Sequence, residues 1–202
     1  MSSLTSVEKC RHADHAIDSL FLDRWSPRAM TGEALPQETV LTLIEAARWA
    51  PSGGNGQPWR FFYALAGTPA FSEFFNLLVP TNRAWAGKAG ALFVIASRTL
   101  QENNGKPHPS HAFDAGAAWM SFALQGSLKG LAVHGIGGFD KVKATEVLSL
   151  PPEYQPQAMA VVGFPAAAET LSEPLREREI PSKRKPLSEI AFEGGWPAGK
   201  LA

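Results

Sequence analysis

The segment that decides the fold reads Ala47-Arg48-Trp49-Ala50-Pro51-Ser52-Gly53-Gly54-Asn55-Gly56-Gln57-Pro58-Trp59-Arg60. It follows a run with helical apolar periodicity and precedes a run typical of a β-strand. Small residues, a hydroxyl and two carboxamides are concentrated between Pro51 and Pro58. A loop that only connected a helix to a strand would not need this combination of small, hydroxyl and carboxamide residues. We therefore interpret this loop as one wall of a ligand site.

The elements on either side of this loop follow from periodicity. A helix is predicted over residues 36–49, because Pro36 suits a first turn and the apolar side chains form one broad face. Pro51 ends it, and a strand follows over 59–65. Further helices are predicted over 14–22, 69–78, 111–129 and 141–148, strands over 89–97, 131–135 and 157–164, and loops over 80–83 and 101–109. Thr68 and Asp140 are expected to be N-caps.

This order of elements predicts an α+β fold. Few connections look like parallel crossovers, so a doubly wound sheet is disfavoured. Residues 1–202 are expected to form one domain, with a core over about 14–165 and an extended C-terminal arm over 166–202. The tail is either disordered or an arm that lies on another surface. Its apolar residues favour the arm: Leu187, Ile190, Phe192 and Trp196.

Composition excludes several classes of protein. The chain has 19 Lys+Arg and 19 Asp+Glu, so its zero net charge argues against a general nucleic-acid binder. No run is long and apolar enough for a membrane span, and the N-terminal residues 1–15 have no apolar signal segment. The single cysteine, Cys10, fits a reducing compartment. We expect a cytoplasmic protein.

The segment Arg24-Trp25-Ser26-Pro27-Arg28 is a candidate anion site. Pro27 favours an extended backbone at Ser26, which would point Arg24, Ser26 and Arg28 to one side. Arginine offers forked donors that match phosphate. Solvated loop charge is the alternative interpretation.

Motifs for other chemistries are weak or missing. The turn Gly135-Ile136-Gly137-Gly138-Phe139-Asp140 does not match the dinucleotide fingerprint, but its glycines would allow a flat ligand to approach closely. The His12/His15 and His108/His111 spacings predict no metal site, and His134 is interpreted as a buried, satisfied histidine. There is no nucleophile elbow or P-loop. The pattern suits an enzyme whose cofactor carries out the chemistry.

These residues resemble the FMN-dependent nitroreductase family. The resemblance rests on an ordered set: Arg24-x-Ser26-x-Arg28, Ala50-Pro51-Ser52-x-x-Asn55-x-Gln57-Pro58-Trp59, Asn82, the turn at 135–140, and Lys183-Arg184-Lys185-Pro186-Leu187. The second motif is the most specific. The resemblance implies a central mixed or antiparallel sheet flanked by helices, in an intertwined homodimer. The two subunits would exchange C-terminal arms, and FMN would lie at each interface site.

The resemblance also implies a set of cofactor-binding residues: Arg24, Trp25, Ser26, Arg28, Pro51, Ser52, Asn55, Gln57, Asn82, Gly137, Gly138, Lys183, Arg184 and Lys185. Arg24 and Arg184 would hold the FMN phosphate together with Lys183 or Lys185. Arg28 would stabilise negative charge near flavin N1 and C2=O. Loop 51–57 would come from the other subunit, and the glycine turn would lie along the flavin edge with a backbone N–H near N5.

The implied function is an FMN-dependent NAD(P)H oxidoreductase that reduces nitroaromatics, quinones or related small acceptors by a ping-pong mechanism. No protein side chain is expected to be catalytic in its own right, whereas Arg28 and Gly137 would tune the flavin. Some family members carry a carboxylate where this chain has Gly137, and a histidine where it has Trp25. These departures leave an alternative open: a flavin-binding protein of another class without NAD(P)H-driven turnover.

Overall fold

A computed structural model of the protein describes residues 10–196 and contains a four-stranded sheet. The strands are β1 (Trp59–Leu65), β2 (Ala91–Arg98), β3 (Ala132–Ile136) and β4 (Tyr154–Gly163). Their spatial order is β1-β2-β4-β3, and every neighbouring pair is antiparallel. The two edge strands are therefore β1, which follows the loop 51–58, and β3, which precedes the glycine turn.

Helices cover both faces of the sheet. They are α1 (Ser19–Asp23), α2 (Gln37–Arg48), α3 (Pro69–Phe75), α4 (Pro80–Ala86), α5 (His111–Leu128), α6 (Lys141–Val147) and α7 (Glu173–Arg176). On one face, α2 and α5 pack around Phe93 and Phe122. On the other, α3, α4 and α6 pack around Leu92 and Met159. This arrangement confirms the predicted α+β fold with helices flanking an antiparallel sheet.

Strand β2 is the centre of the core, since residues 91–97 are all buried. Its side chains alternate between the two faces, which is why its sequence is apolar throughout rather than alternating. Helix α5 lies close to the sheet because Gly126 faces Val133: a Cβ built at Gly126 would stand 2.3 Å from Val133 Cγ2. The ring of Phe122 packs edge-on against that of Phe93, 4.9 Å away.

Three sequence-based predictions of elements were wrong. Residues 80–83 form the start of helix α4, with Pro80 in its first turn, rather than a loop. Strand β4 begins at Tyr154 and passes through Pro156, where the pairing with β2 is irregular, so the missing N–H falls at a bulge. The first helix is only Ser19–Asp23, because Asp18 accepts a hydrogen bond from the N–H of Leu20 and so begins the helix late.

The N-cap predictions had mixed outcomes. Asp140 Oδ1 accepts a hydrogen bond from the N–H of Lys143 at 2.9 Å, so this cap is confirmed. Thr68 precedes α3, but its hydroxyl donates to the carbonyl oxygen of Leu65 instead of capping the helix.

The loop at 101–109 is held in place by backbone hydrogen bonds, from Gln101 N to Lys106 O and from His108 N to Thr99 O.

The first part of the C-terminal segment packs against residues of its own chain, and the part beyond Pro181 is exposed. Pro165 bridges to Met30, and Glu179 and Pro181 are buried. Beyond Pro181 nearly every described residue is exposed, including Ile190 at 61% and Trp196 at 63%. Residues 197–202 of the expected arm, and residues 1–9 of the N-terminal segment, lie outside the described part of the chain. Among residues 10–196, no helix is long and apolar enough to cross a membrane.

Candidate functional site

A cluster of three arginines forms the charged part of the candidate site. Arg24 Nη1 donates to Ser26 Oγ at 3.4 Å, and Arg184 donates to Ser182 Oγ at 3.0 Å. Burial lowers the pKa of Arg24, and the charge of nearby Arg184 lowers it further. Neither guanidinium has a carboxylate partner among residues 10–196. Like charges held together in this way favour binding of an anion.

The third member of the cluster, Arg11, was missed by the sequence reasoning. Its guanidinium donates to the carbonyl oxygens of Leu22, Arg24 and Ser182, at 2.8, 2.8 and 3.0 Å. It thereby joins the segment before Arg24 to the segment before Arg184. Burial lowers the pKa of Arg11, and Arg184 and Arg24 add to this effect. No sequence signal identifies it, because the contact joins residues 171 positions apart.

Arg28 has a protein partner, unlike Arg24. Its Nη1 lies 3.6 Å from Glu179 Oε2, and Glu179 Oε1 accepts hydrogen bonds from the N–H groups of Arg28 and Ala29 at 2.6 and 2.8 Å. Glu179 is only 5% exposed. This carboxylate therefore fixes the backbone at Arg28 and holds its guanidinium in place. The arm and the Arg24–Arg28 segment are joined here as well.

His134 of β3 lies under the same segment. Its Nδ1 is 3.2 Å from the carbonyl oxygen of Pro27, and its ring is 4.6 Å from that of Trp85. Burial lowers the pKa of His134 to about 4, and the nearby Arg28 and Arg24 act in the same direction against the hydrogen bonds to the backbone. The imidazole is therefore neutral at pH 7 and supports the loop that carries the arginines.

The glycine turn after β3 is held by Asn82. Its Nδ2 donates to the carbonyl oxygen of Gly138 at 3.0 Å, and Val79 N donates to the same oxygen at 3.2 Å. A Cβ at Gly138 would stand 2.7 Å from Asn82 Nδ2, whereas a Cβ at Gly137 would meet nothing within 4 Å. A side chain at Gly138 would thus displace the amide of Asn82, while Gly137 faces open space. Neither glycine N–H donates to an acceptor within the described residues.

The loop 51–58 is exposed except at Ser52 and Pro58, and it is held in an unusual backbone conformation. Gly54, Asn55 and Gln57 have φ of 56°, 56° and 43°, in the left-handed region. Ser52 Oγ accepts a hydrogen bond from Gln57 N at 3.0 Å, which closes the loop on itself. Pro51 projects into solvent. Such strain, kept in a surface loop, is typical of a functional segment.

A buried carboxylate attaches this loop to helix α5. Asp114 Oδ2 accepts hydrogen bonds from Gly53 N at 3.2 Å and from Ser110 Oγ at 3.1 Å, and it lies 3.2 Å from His108 Nε2. His111 Nδ1 turns instead to Ser97 Oγ, 2.8 Å away. The two histidines therefore make separate contacts. Within residues 10–196 no three potential metal ligands converge.

The remaining expected site residues have these positions. Trp25 is half-buried between Arg24 and Ser26, and the Lys183–Lys185 segment is exposed. Lys185 Nζ lies 3.7 Å from Glu189 Oε2. Lys183 O accepts from the guanidinium of Arg184, so its carbonyl faces the arginine.

The expected site residues fall into two separate groups within one chain. Arg24, Arg28 and the glycine turn lie at the β3 edge, whereas the loop 51–58 lies at the β1 edge. The two edges are three strand spacings apart, about 14 Å.

Comparisons with known proteins show which family this chain resembles. The sequence model of the "Nitroreductase family" matches residues 22–164. A crystal structure described as an oxidoreductase containing FMN is 43% identical, with a TM-score of 0.89 over 93% of this chain and 96% of that one. A Desulfovibrio desulfuricans structure in complex with FMN is 24% identical, with a TM-score of 0.70 over 89% and 96%. A Streptococcus pyogenes protein whose name proposes an NAD(P)H nitroreductase is 23% identical, over 83% of this chain and 94% of its own length.

Proposed function

Because the chain belongs to the nitroreductase family, we propose that it is an FMN-dependent NAD(P)H oxidoreductase acting on small acceptors such as nitroaromatics and quinones. The observation that carries this proposal is the arginine cluster of Arg11, Arg24 and Arg184. Three cations gathered with no carboxylate partner among residues 10–196 fit a phosphate group. The 43%-identical structure that contains FMN supports the same assignment.

The residues of the β3 edge would hold FMN in the following way. Arg24 and Arg184 bind the phosphate, with Lys183 or Lys185 adding charge. Ser26 and Trp25 would lie beside the ring system, and Asn82 fixes the glycine turn that would face it. The N–H groups of Gly137 and Gly138, which donate to no acceptor within residues 10–196, would supply hydrogen bonds to the flavin edge, and the open space at Gly137 would admit the ring.

Bound FMN would supply the redox chemistry between NADH or NADPH and the acceptor. Arg28 stabilises developing negative charge near the pyrimidine side, and Glu179 holds Arg28 in position. His134 stays neutral and keeps the loop of Arg24 and Arg28 in place. Donor and acceptor would use the same face in turn, which gives ping-pong kinetics.

A homodimer would complete each site. Helix α5 presents an exposed stripe with Phe113 at 80% and Met120 at 37%, and between them Gly116 faces open space. Such a stripe allows close helix packing and is typical of a subunit interface. In that dimer, Pro51, Ser52, Asn55 and Gln57 of one chain reach the flavin held by the other. The core at 14–165 would form the domain, and the arm at 166–202 would cover the second subunit.

A second candidate is a flavin-binding protein that does not turn over NAD(P)H. Gly137 favours it, because some relatives carry a carboxylate there. Anaerobic mixing of the purified protein with NADH and with NADPH separates the two functions. The oxidoreductase should be yellow and lose its colour on mixing. A colourless protein that takes up no added FMN contradicts both proposals, and a yellow protein that neither nucleotide reduces supports the second.

A further inference from the structure

A cavity of about 480 Å³ opens between the loop 51–58 and the segment that joins β2 to α5. Its apolar lining includes Pro58, Leu100 and Pro109, and its charged lining residues are Arg98 and Glu102. A volume of this order suits a small molecule. Of the expected FMN-binding residues, only Asn55 lines it. The cavity is therefore next to the proposed flavin site but is built from other residues.

Two arginines share one carboxylate oxygen at this cavity. Arg98 Nη1 lies 3.2 Å and Arg60 Nη2 lies 3.3 Å from Glu102 Oε1. One carboxylate neutralises only one of the two cations. The Glu102 side chain is 62% exposed, and exposed ion pairs of this kind contribute little to stability. Glu102 can therefore be displaced at small cost.

The backbone of Arg98 is fixed and its side chain is mostly buried beside the cavity. Its backbone N–H donates to the carbonyl oxygen of Pro58 at 2.9 Å, at the end of β2, and its side chain is only 22% exposed. Its buried Nε has no hydrogen-bond partner among the described residues. Arg98 Nη1 reaches Glu102, so the outer edge of the guanidinium offers charged donors to a carboxylate.

We infer that this cavity binds a small aromatic carboxylate, whose acid group replaces Glu102 on Arg98. The ring packs against Pro58, Leu100 and Pro109, and Arg60 adds to the positive charge. Because the loop 51–58 forms one wall, the bound acid lies beside the flavin of the partner chain. The acid is therefore part of the electron acceptor, an assignment that rests on the proposed function.

Calorimetric titration of the full-length protein with benzoate tests the site without any flavin chemistry. Arg98→Gln should weaken benzoate binding at least tenfold, since it removes the charged bidentate donor. Glu102→Gln should strengthen binding, because it removes both the competitor and its repulsion. Lys143→Gln, an exposed charge lost from α6, is the control and should change nothing. Absent binding in the wild type, or a weaker Glu102→Gln variant, would overturn the inference even if Arg98→Gln folds poorly.

Steady-state kinetics then separate the acceptor from other anions. The ratio of kcat/KM for 4-nitrobenzoate over nitrobenzene should fall in Arg98→Gln and rise in Glu102→Gln, with nitrobenzene itself unaffected. An unchanged ratio overturns the assignment to the acceptor. Inorganic phosphate that competes with benzoate at equal concentration overturns the aromatic preference. Benzoate binding by a protein that takes up no FMN would support the cavity while contradicting the proposed oxidoreductase.

Discussion

At the scale of single residues, the site depends on which charges have partners. Arg24 lies among cations, whereas Arg28 faces the buried carboxylate of Glu179. A guanidinium without an anion is stabilised when phosphate arrives, but one that already has a carboxylate gains less. We therefore propose different roles for the two arginines of this short motif: phosphate binding for Arg24 and a position near the flavin ring for Arg28.

This difference predicts unequal losses of cofactor. Arg24→Ala should raise the dissociation constant for FMN at least tenfold, because it removes a charge-assisted contact to the phosphate. Arg28→Ala should raise it less, although leaving Glu179 buried and unpaired should lower thermal stability. Equal FMN dissociation constants for the two variants, measured by flavin fluorescence, would refute the assignment.

His134 predicts a pH dependence of stability. Its pKa is about 4 in the folded chain and about 6.5 when unfolded, so the native state favours the neutral ring. Its contribution is complete above pH 6.5 and is lost as pH falls toward 4. The wild type should therefore lose about 2–3 kcal/mol more than His134→Gln between pH 7 and pH 4. Parallel stability curves in urea unfolding would contradict this account.

At the scale of elements, the turn after β3 is defined by contacts rather than by backbone angles. Gly138 packs against Asn82 of α4, while Gly137 faces open space. Helix α4 was not predicted, because its proline and polar residues read as a loop. The sequence could therefore suggest that Asn82 and the turn share a site, but not that Asn82 holds the turn in place.

The two glycines make a matched pair of variants. Gly138→Ala should lower the melting temperature and weaken FMN binding, because its Cβ would collide with Asn82 Nδ2. Gly137→Ala should keep the melting temperature of the wild type, since nothing lies within 4 Å of the new atom. If both variants melt at the same temperature, the packing role of Gly138 is wrong.

Helix α5 predicts the association state. Phe113→Glu places a charge in the exposed stripe and should shift the protein toward monomer, with loss of FMN. Val142→Glu is the control, because Val142 is 72% exposed on α6, outside the stripe. Sedimentation velocity should show a monomer for the first variant only. A dimeric Phe113→Glu protein would place the interface elsewhere.

At the scale of the whole molecule, long-range contacts decide what the sequence could predict. Helices α2 and α5 and strand β2 were predictable, because local periodicity and uniform apolar runs define them. The continuation of β4 through Pro156 was missed, since proline normally argues against a strand. Arg11 and Glu179 were missed because their partners are distant in the sequence. The ordered motifs identified the family, but not these contacts between the arm and the loop.

The central claim is that each flavin site is built from two chains, with phosphate binding at the β3 edge and the loop 51–58 from the partner. A mixed dimer tests it, formed from an Arg24→Ala chain and an Asn55→Asp chain, after each homodimer has been shown to lose FMN. Aspartate tolerates the left-handed backbone at position 55 and adds a negative charge beside the cofactor.

In the mixed dimer, one site combines the intact Arg24 of one chain with the intact loop of the other, and the second site carries both defects. The measurement is the amount of FMN bound per purified mixed dimer. The account predicts one tightly bound FMN, half the amount held by the wild-type dimer. A mixed dimer without FMN would contradict it, because that result means that each site takes Arg24 and the loop from the same chain.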